Sequence, residues 1–288
     1  MINYIFVIIA TVLLAFEFAF SKKYQMCEGT SPVAGLKFNA IAGFFTIIIF
    51  FCLNGFKFNI TAFSIIMAFF MSFCGVLYSI IGFRVLKYGN MALYSIFLMS
   101  GGMLLPYVFG VLFLDEKLSV LRIIGVIVIL ATVILSNLHN AKLNKTIIFL
   151  CIAVFILNGC VSIISKCHQV STSYDTVNST EFVMLSGICK LFLCSALLLC
   201  YRPKREQLTF SGIIIPLIIA GTALIGGVSY MFQLMGAKEL PATVLYPLVT
   251  GGSIIFSALS GLIFFREKIT KMQIISICLC FAGTLFFL

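Results

Sequence analysis

The sequence predicts an all-α integral membrane protein with ten transmembrane helices arranged as two inverted five-helix repeats. Three observations predict it. Of the 288 residues, 62% are hydrophobic and 10% charged, where a soluble domain carries about 25% charged. Apolar runs of membrane-spanning length, about 17–25 residues, fill nearly the whole chain. And the landmarks of the first half return in the second. Gly75-Val-Leu-Tyr78 is answered by Gly227-Val-Ser-Tyr230, Leu93-Tyr94 by Leu245-Tyr246, and Ser100-Gly101-Gly102 by Thr250-Gly251-Gly252. Asp115-Glu116-Lys117-Leu118-Ser119 is answered by Arg266-Glu267-Lys268-Ile269-Thr270. The interval is nearly constant (230 − 78 = 152, 252 − 102 = 150, 267 − 116 = 151), as a structural repeat requires.

The ten predicted spans are residues 3–21, 32–53, 62–86, 91–114, 120–137, 146–166, 181–201, 212–236, 242–265 and 271–288. The first reads as a span rather than a signal peptide, since it lacks a basic leader and carries Glu17 inside its apolar part. Most connections are only a few residues long, so successive helices pack as antiparallel neighbours. The longest polar connection is 167–180, and the midpoint linker is 138–145. The domains are therefore residues 1–140 and 141–288, five spans each. An odd number of spans makes the second half enter the membrane upside-down. Such inverted repeats recur in secondary transporters, with the site near the midplane between the halves.

Loop charges set the orientation. The odd-numbered loops hold twelve Lys and Arg, from Lys22 to Lys271, and the even-numbered loops hold Lys57, Lys117, Arg122, Lys166 and Lys238. Twelve against five puts the odd loops in the cytoplasm and both termini outside. The net charge of +10 is dispersed in ones to threes, so it argues for topology and not for nucleic acid. The eleven cysteines lie mostly in apolar runs and none has metal-ligand spacing with histidine; they read as small apolar residues. His139 and His168 sit in or beside loops. No nucleophile–base pair and no glycine-rich phosphate loop is present, so the chain is not read as an enzyme, and no cofactor or metal is expected.

The candidate substrate residues are polar groups inside spans. Glu17 leads, because an intramembrane carboxylate costs about 2.5–3.5 kcal/mol on insertion scales and marks function by default. Ala10 and Ser21 share its helical face. Its functional reading is a proton-binding or cation-binding group; its structural reading is an ion pair with Lys37. Lys190, on a face with Ser186, Gly187 and Cys194, would hold a substrate carboxylate or phosphate. Lys37 is read as its counterpart in the first half, or as snorkelling to the interface. Tyr246, Thr250, Ser253, Ser257 and Ser260 form one stripe, Thr222, Gly226, Ser229 and Gln233 another, and Asn158, Ser162 and Ser165 a third. Each is a single helix face, and each reads as cavity lining or as close helix packing. Tyr78, Tyr94, Tyr230 and Tyr246 form two symmetric pairs that would box an organic cation or anchor at the interface. Pro106 and Pro247, with Gly101, Gly102, Gly251 and Gly252, are candidate gating positions, since proline frees a carbonyl at membrane depth.

The unit of apolar helix, Glu-Lys-Leu/Ile-Ser/Thr and apolar helix with a late small pair occurs at Glu116-Lys-Leu-Ser119 with Ala131-Thr132, and at Glu267-Lys-Ile-Thr270 with Ala282-Gly283. A small residue followed seven later by Lys occurs as Ala15…Lys22 and Gly159…Lys166. Together these resemble EamA-type domains of the drug/metabolite transporter superfamily. The chain has no tryptophan; Leu14 and Asn158 stand where that family often carries one. The resemblance implies ten helices and transport of a small metabolite. Glu17 also matches, by position, the proton-coupled carboxylate of the small multidrug exporters in that superfamily.

The expected function is secondary active transport of a small polar metabolite across the plasma (inner) membrane, an amino acid or similar amine-bearing zwitterion held between Glu17 and Lys190. An organic-cation, quaternary-ammonium or multidrug carrier is the alternative, and a non-transporting scaffold or receptor is a third reading. Expected partners are the lipid bilayer, the substrate and protons, with the protein a monomer or homodimer and no nucleic acid bound. The orientation is checked in a cysteine-free background carrying Ser173→Cys or Lys204→Cys. An impermeant thiol reagent should label position 173 from outside and leave 204 untouched; the reverse pattern inverts the topology.

Overall fold

The structure is a computed structural model that describes residues 2–87, 91–137, 145–203, 205–265 and 271–287. Among the described residues it is entirely helical: α1 (Ile2–Glu28), α2 (Pro32–Leu53), α3 (Ala62–Lys87), α4 (Met91–Phe113), α5 (Val120–Asn137), α6 (Lys145–Val170), α7 (Ser179–Tyr201), the one-turn α8 (Arg205–Leu208), α9 (Ile214–Glu239), α10 (Ala242–Phe265) and α11 (Lys271–Leu285). Eight of these are long and apolar enough to cross a membrane. The apolar parts of α5 and α11, Val120–Leu135 and Ile274–Leu285, are shorter. The protein is therefore a multi-pass integral membrane protein. His139 and Lys142 of the midpoint linker, and Glu267 of the second motif, lie outside the described residues.

Local chemistry sets the helix ends. Ser31 Oγ accepts from the Ala34 N–H (3.1 Å), with Pro32 opening α2. Asn178 and Glu181 form a reciprocal capping box on α7 (2.8 and 3.2 Å). Gly29 (φ 79°) and Gly55 (φ 64°) turn the chain after α1 and α2, in a region that favours glycine. Two helices overrun their predicted ends for reasons of packing. α1 continues to Glu28 because Tyr24 is buried, with its hydroxyl donating to Ala34 O (2.8 Å). α6 continues to Val170 because Lys166 and His168 are buried and bonded rather than solvated. His168 Nε2 meets Ser64 Oγ at 2.8 Å and its ring stacks on Phe182.

Each half leans on the other. α1 packs on α9 and α10, α6 on α3 and α4, α2 on α7, α4 on α10, and α5 on α11. Lipid supplies no hydrophobic drive between helices, so close approach does the work. At the α2–α7 crossing Gly43 faces Gly187: a Cβ on either would lie 2.7 or 3.1 Å from the other's carbonyl oxygen. These two glycines are 144 residues apart (187 − 43), the interval that also separates Ala15 from Gly159. From α3 to α9 the interval is 152 (214 − 62), and the segment before α9, 202–213, is four residues longer than the loop before α3, 54–61. At the first of these intervals Lys37 would stand opposite Glu181 (181 − 37 = 144) and Lys190 opposite Thr46 (190 − 46 = 144).

The α9–α10 corner is clamped from both sides. Lys166 Nζ donates to Ala237 O and Leu240 O, both at 2.6 Å, capping the last carbonyls of α9. Glu116 accepts from the N–H groups of Ala242 (2.6 Å) and Thr243 (2.8 Å), capping α10. Each charge thus meets the helix end of opposite polarity. Lys166 is a buried cap and not the loop charge its position suggested. Removing either group strands two backbone partners, worth about 1–3 kcal/mol. Lys166→Ala and Glu116→Ala should each lower the melting temperature of the purified protein. The double variant should lose less than the two losses added, because both hold one corner; a strictly additive loss would separate them.

Candidate functional site

A cavity of about 370 Å³ lies between the halves, lined by α1, α2, α3, α4, α6, α7, α9 and α10. That volume falls in the small-ligand range of roughly 300–1,000 Å³. Its deepest polar residues sit at mid-span. Glu17 lies about 16 Å along its helix from the end of α1, and Lys190 about 16 Å from either end of α7, at ~1.5 Å per residue.

Glu17 and Lys190 come from different walls, α1 and α7, and both line the cavity. The Glu17 carboxylate lies over Gly226 of α9. A Cβ there would stand 2.8 Å from both carboxylate oxygens, so glycine is what makes room for it. Lys190 is close enough to act on Glu17 through its charge. Yet, among the described residues, neither Glu17 nor Lys190 forms an ion pair or makes a hydrogen bond, whereas Lys37 pairs with Glu28. Two opposite charges therefore face one cavity without closing on each other.

The neutral polar groups around them are largely held. Asn158 Nδ2 donates to Leu98 O (2.7 Å) and packs over Gly102, and the residue lines the cavity. Tyr230 Oη meets Ser165 Oγ (2.7 Å) and Met71 Sδ (2.8 Å). The Tyr246 hydroxyl donates to Ser162 O. Gln233 Nε2 reaches Ser229 Oγ (3.3 Å), which itself donates to Ala10 O (2.7 Å). Tyr78 lines the cavity with no hydrogen bond from its hydroxyl among the described residues. Thr250 and Ser253 also line it, although the Ser253 hydroxyl turns back to Thr250 O (2.8 Å). The stripe on α10 leaves the cavity beyond that point: Ser257 and Ser260 bond within their own helix.

Other predicted residues lie elsewhere. Lys37 does not pair with Glu17. It lines a separate pocket of about 310 Å³, binds Glu28 and Thr209 O (2.9 Å), and lies over the Phe210 ring. Tyr94 packs on Gly82, in a cluster with Val85, Ile147 and Cys151. Pro106 and Pro247 sit inside continuous helices and do not line the cavity. All four glycines read as gates have packing partners: Gly101 meets the Phe155 backbone, Gly102 meets Asn158, Gly251 meets Thr284, and Gly252 meets Thr11. Sequence reasoning did not find Asn39, Thr46 and Ser72, which also line the cavity. Asn39 carried a signal, a lone amide in an apolar helix; Thr46 and Ser72 carried none. Among the described residues, no group of three or more His, Cys, Asp or Glu could hold a metal ion.

No curated protein matches the chain. A solved structure described only as "Crystal structure of protein" is similar in fold, with a TM-score of 0.76 and 14% sequence identity, covering 99% of this chain and 96% of that one. The model of the EamA-like transporter family matches residues 144–288, half of the chain. With an all-helical membrane fold and a polar cavity between its halves, the chain belongs to the EamA-like transporter family.

Proposed function

We propose that this protein is a secondary transporter of an amino acid or similar amine-bearing zwitterion, working by alternating access in the plasma membrane. The observation that carries the reading is the pair Glu17 and Lys190, two unpaired opposite charges in one mid-span cavity. Buried charges are costly unless partnered. A zwitterion partners both at once, its ammonium on Glu17 and its carboxylate on Lys190. A lone cation would leave Lys190 facing it, which disfavours the organic-cation reading even with Tyr78 and Tyr230 in the wall. Protons are candidate co-substrates at Glu17.

The same reading includes ten spans in two inverted repeats, residues 1–140 and 141–288. Its support is the exchange of packing roles: α1 on α9 and α10 is matched by α6 on α3 and α4, while α2 meets its own counterpart α7. Midplane sites between such halves suit a rocking motion.

Three ligand classes separate the readings in a thermal-shift screen: amino acids, quaternary amines and sugar phosphates. At a hundredfold excess over Kd a bound ligand adds about 2.7 kcal/mol. At least one amino acid should raise the melting temperature by several degrees. Stabilisation by quaternary amines alone would favour the cation reading, and none by any amino acid removes the lead.

In proteoliposomes, Glu17→Gln should abolish the flux driven by a pH gradient; unchanged gradient-driven flux excludes Glu17 as the proton site. Gly226→Ala should cut transport by up to about a hundredfold, because the added methyl displaces the Glu17 carboxylate. Transport at the wild-type rate would show that the carboxylate's position does not matter.

A further inference from the structure

We propose that two carboxylates, Glu28 and Glu181, are the latches that shut the two opposite ends of the central cavity. The inference rests on the alternating-access reading. It starts from a coincidence of bonding at the two ends of the molecule.

At one end Glu28, the last residue of α1, accepts from both the N–H (2.8 Å) and the hydroxyl (2.7 Å) of Ser211 with a single oxygen, Oε1. Its other oxygen takes Lys37 of α2. At the other end Glu181, near the start of α7, accepts from both the N–H (3.1 Å) and the side-chain amide (2.8 Å) of Asn59 with a single oxygen, Oε1. Asn54 adds a third donor at 3.2 Å, and the other oxygen takes the N–H of Asn178.

Ser211 and Asn59 are counterparts. They stand 152 residues apart (211 − 59), the interval of the α3 and α9 region, and each precedes its helix by three residues. In both cases a carboxylate at the corner between the first two helices of one half grips the loop before the third helix of the other half. Five helices, α2 to α6, lie between Glu28 and Glu181 in the chain. In the ten-span reading all five cross the membrane, and an odd number of crossings puts the two grips on opposite membrane faces.

These bonds cross between the halves, at the level where the halves must part for the cavity to open. Both are made in this structure. Each combines a charged acceptor with a backbone and a side-chain donor, the stronger class of hydrogen bond. The Glu28 latch has a further cation in Lys37, both side chains being buried to about 5% exposure; the Glu181 latch has neutral donors only. The Glu28 end is therefore the harder to open, and the molecule at rest favours access from the Glu181 end.

The test places one reporter, Thr46→Cys in the cavity wall, in a cysteine-free background in oriented vesicles. An impermeant thiol reagent is applied from each face in turn. Glu28→Ala should speed labelling from the Glu28 face by about tenfold, and Glu181→Ala from the Glu181 face by the same order. The milder Ser211→Ala and Asn59→Ala, which keep the carboxylates, should act in the same directions should either glutamate variant fail to fold. A disulfide between Glu28→Cys and Ser211→Cys should stop labelling from that face alone. Variants that change labelling equally from both faces, or not at all, overturn the latches. No substrate is needed, so the two ideas fail separately. A parent protein labelled from both faces but unbiased by the variants sinks the latches and leaves alternating access standing. A parent labelled from one face only, whatever the variant, sinks alternating access itself.

Discussion

Inside a bilayer no water completes a hydrogen bond or solvates a charge, so each polar group must be answered by the protein. The rest of this structure is arranged around that demand. Lys37 is answered by Glu28 and Thr209, Lys166 by the carbonyls that end α9, Glu116 by the amides that open α10, and Glu181 by Asn54, Asn59 and Asn178. All four lie near helix ends, where unsatisfied backbone groups are available as partners. Glu17 and Lys190 lie where no helix ends. They face a cavity instead.

Glycine serves two opposed purposes in the same walls. Where helices must touch, it removes a side chain so that backbones meet, as at Gly43 and Gly187 or at Gly101 against Phe155. Where a polar side chain must project, it supplies the space: Gly226 for Glu17 and Gly102 for Asn158. A methyl group at either kind of site collides, but with different results. At the first it separates helices, and at the second it moves a functional atom.

The long helices were legible because apolar length is a one-dimensional signal, whereas the one-turn α8 carries none. Most cavity residues were legible too, since an amide, carboxylate or ammonium in an apolar helix has few reasons to be there. Glu17, Lys190, Asn158, Tyr230, Gln233 and Tyr246 all line the cavity. What sequence could not separate was a polar group facing a cavity from one facing a helix end. Lys37 and Lys190 read alike, yet one lies at the sixth residue of α2 and the other at the middle of α7. Nor could it tell a glycine that bends from a glycine that packs. Those distinctions depend on which helix stands opposite.

The register also bears on what the cavity can hold. In the proposed repeat, an interval of 144 pairs Glu17 with Val161, Leu14 with Asn158, and Thr46 with Lys190; all six line the cavity. At each of these paired positions one half carries the polar or charged group and the other a smaller or apolar one. Two equal carboxylates, or two equal ammonium groups, would repel across the gap and suit a substrate with two like ends. One carboxylate and one ammonium, placed on opposite halves, suit a substrate whose ends differ. The backbone pairs like with like while the side chains pair unlike with unlike. Under the proposed function, such a scaffold would keep equal helices to move on either side and give a zwitterion one favourable way round.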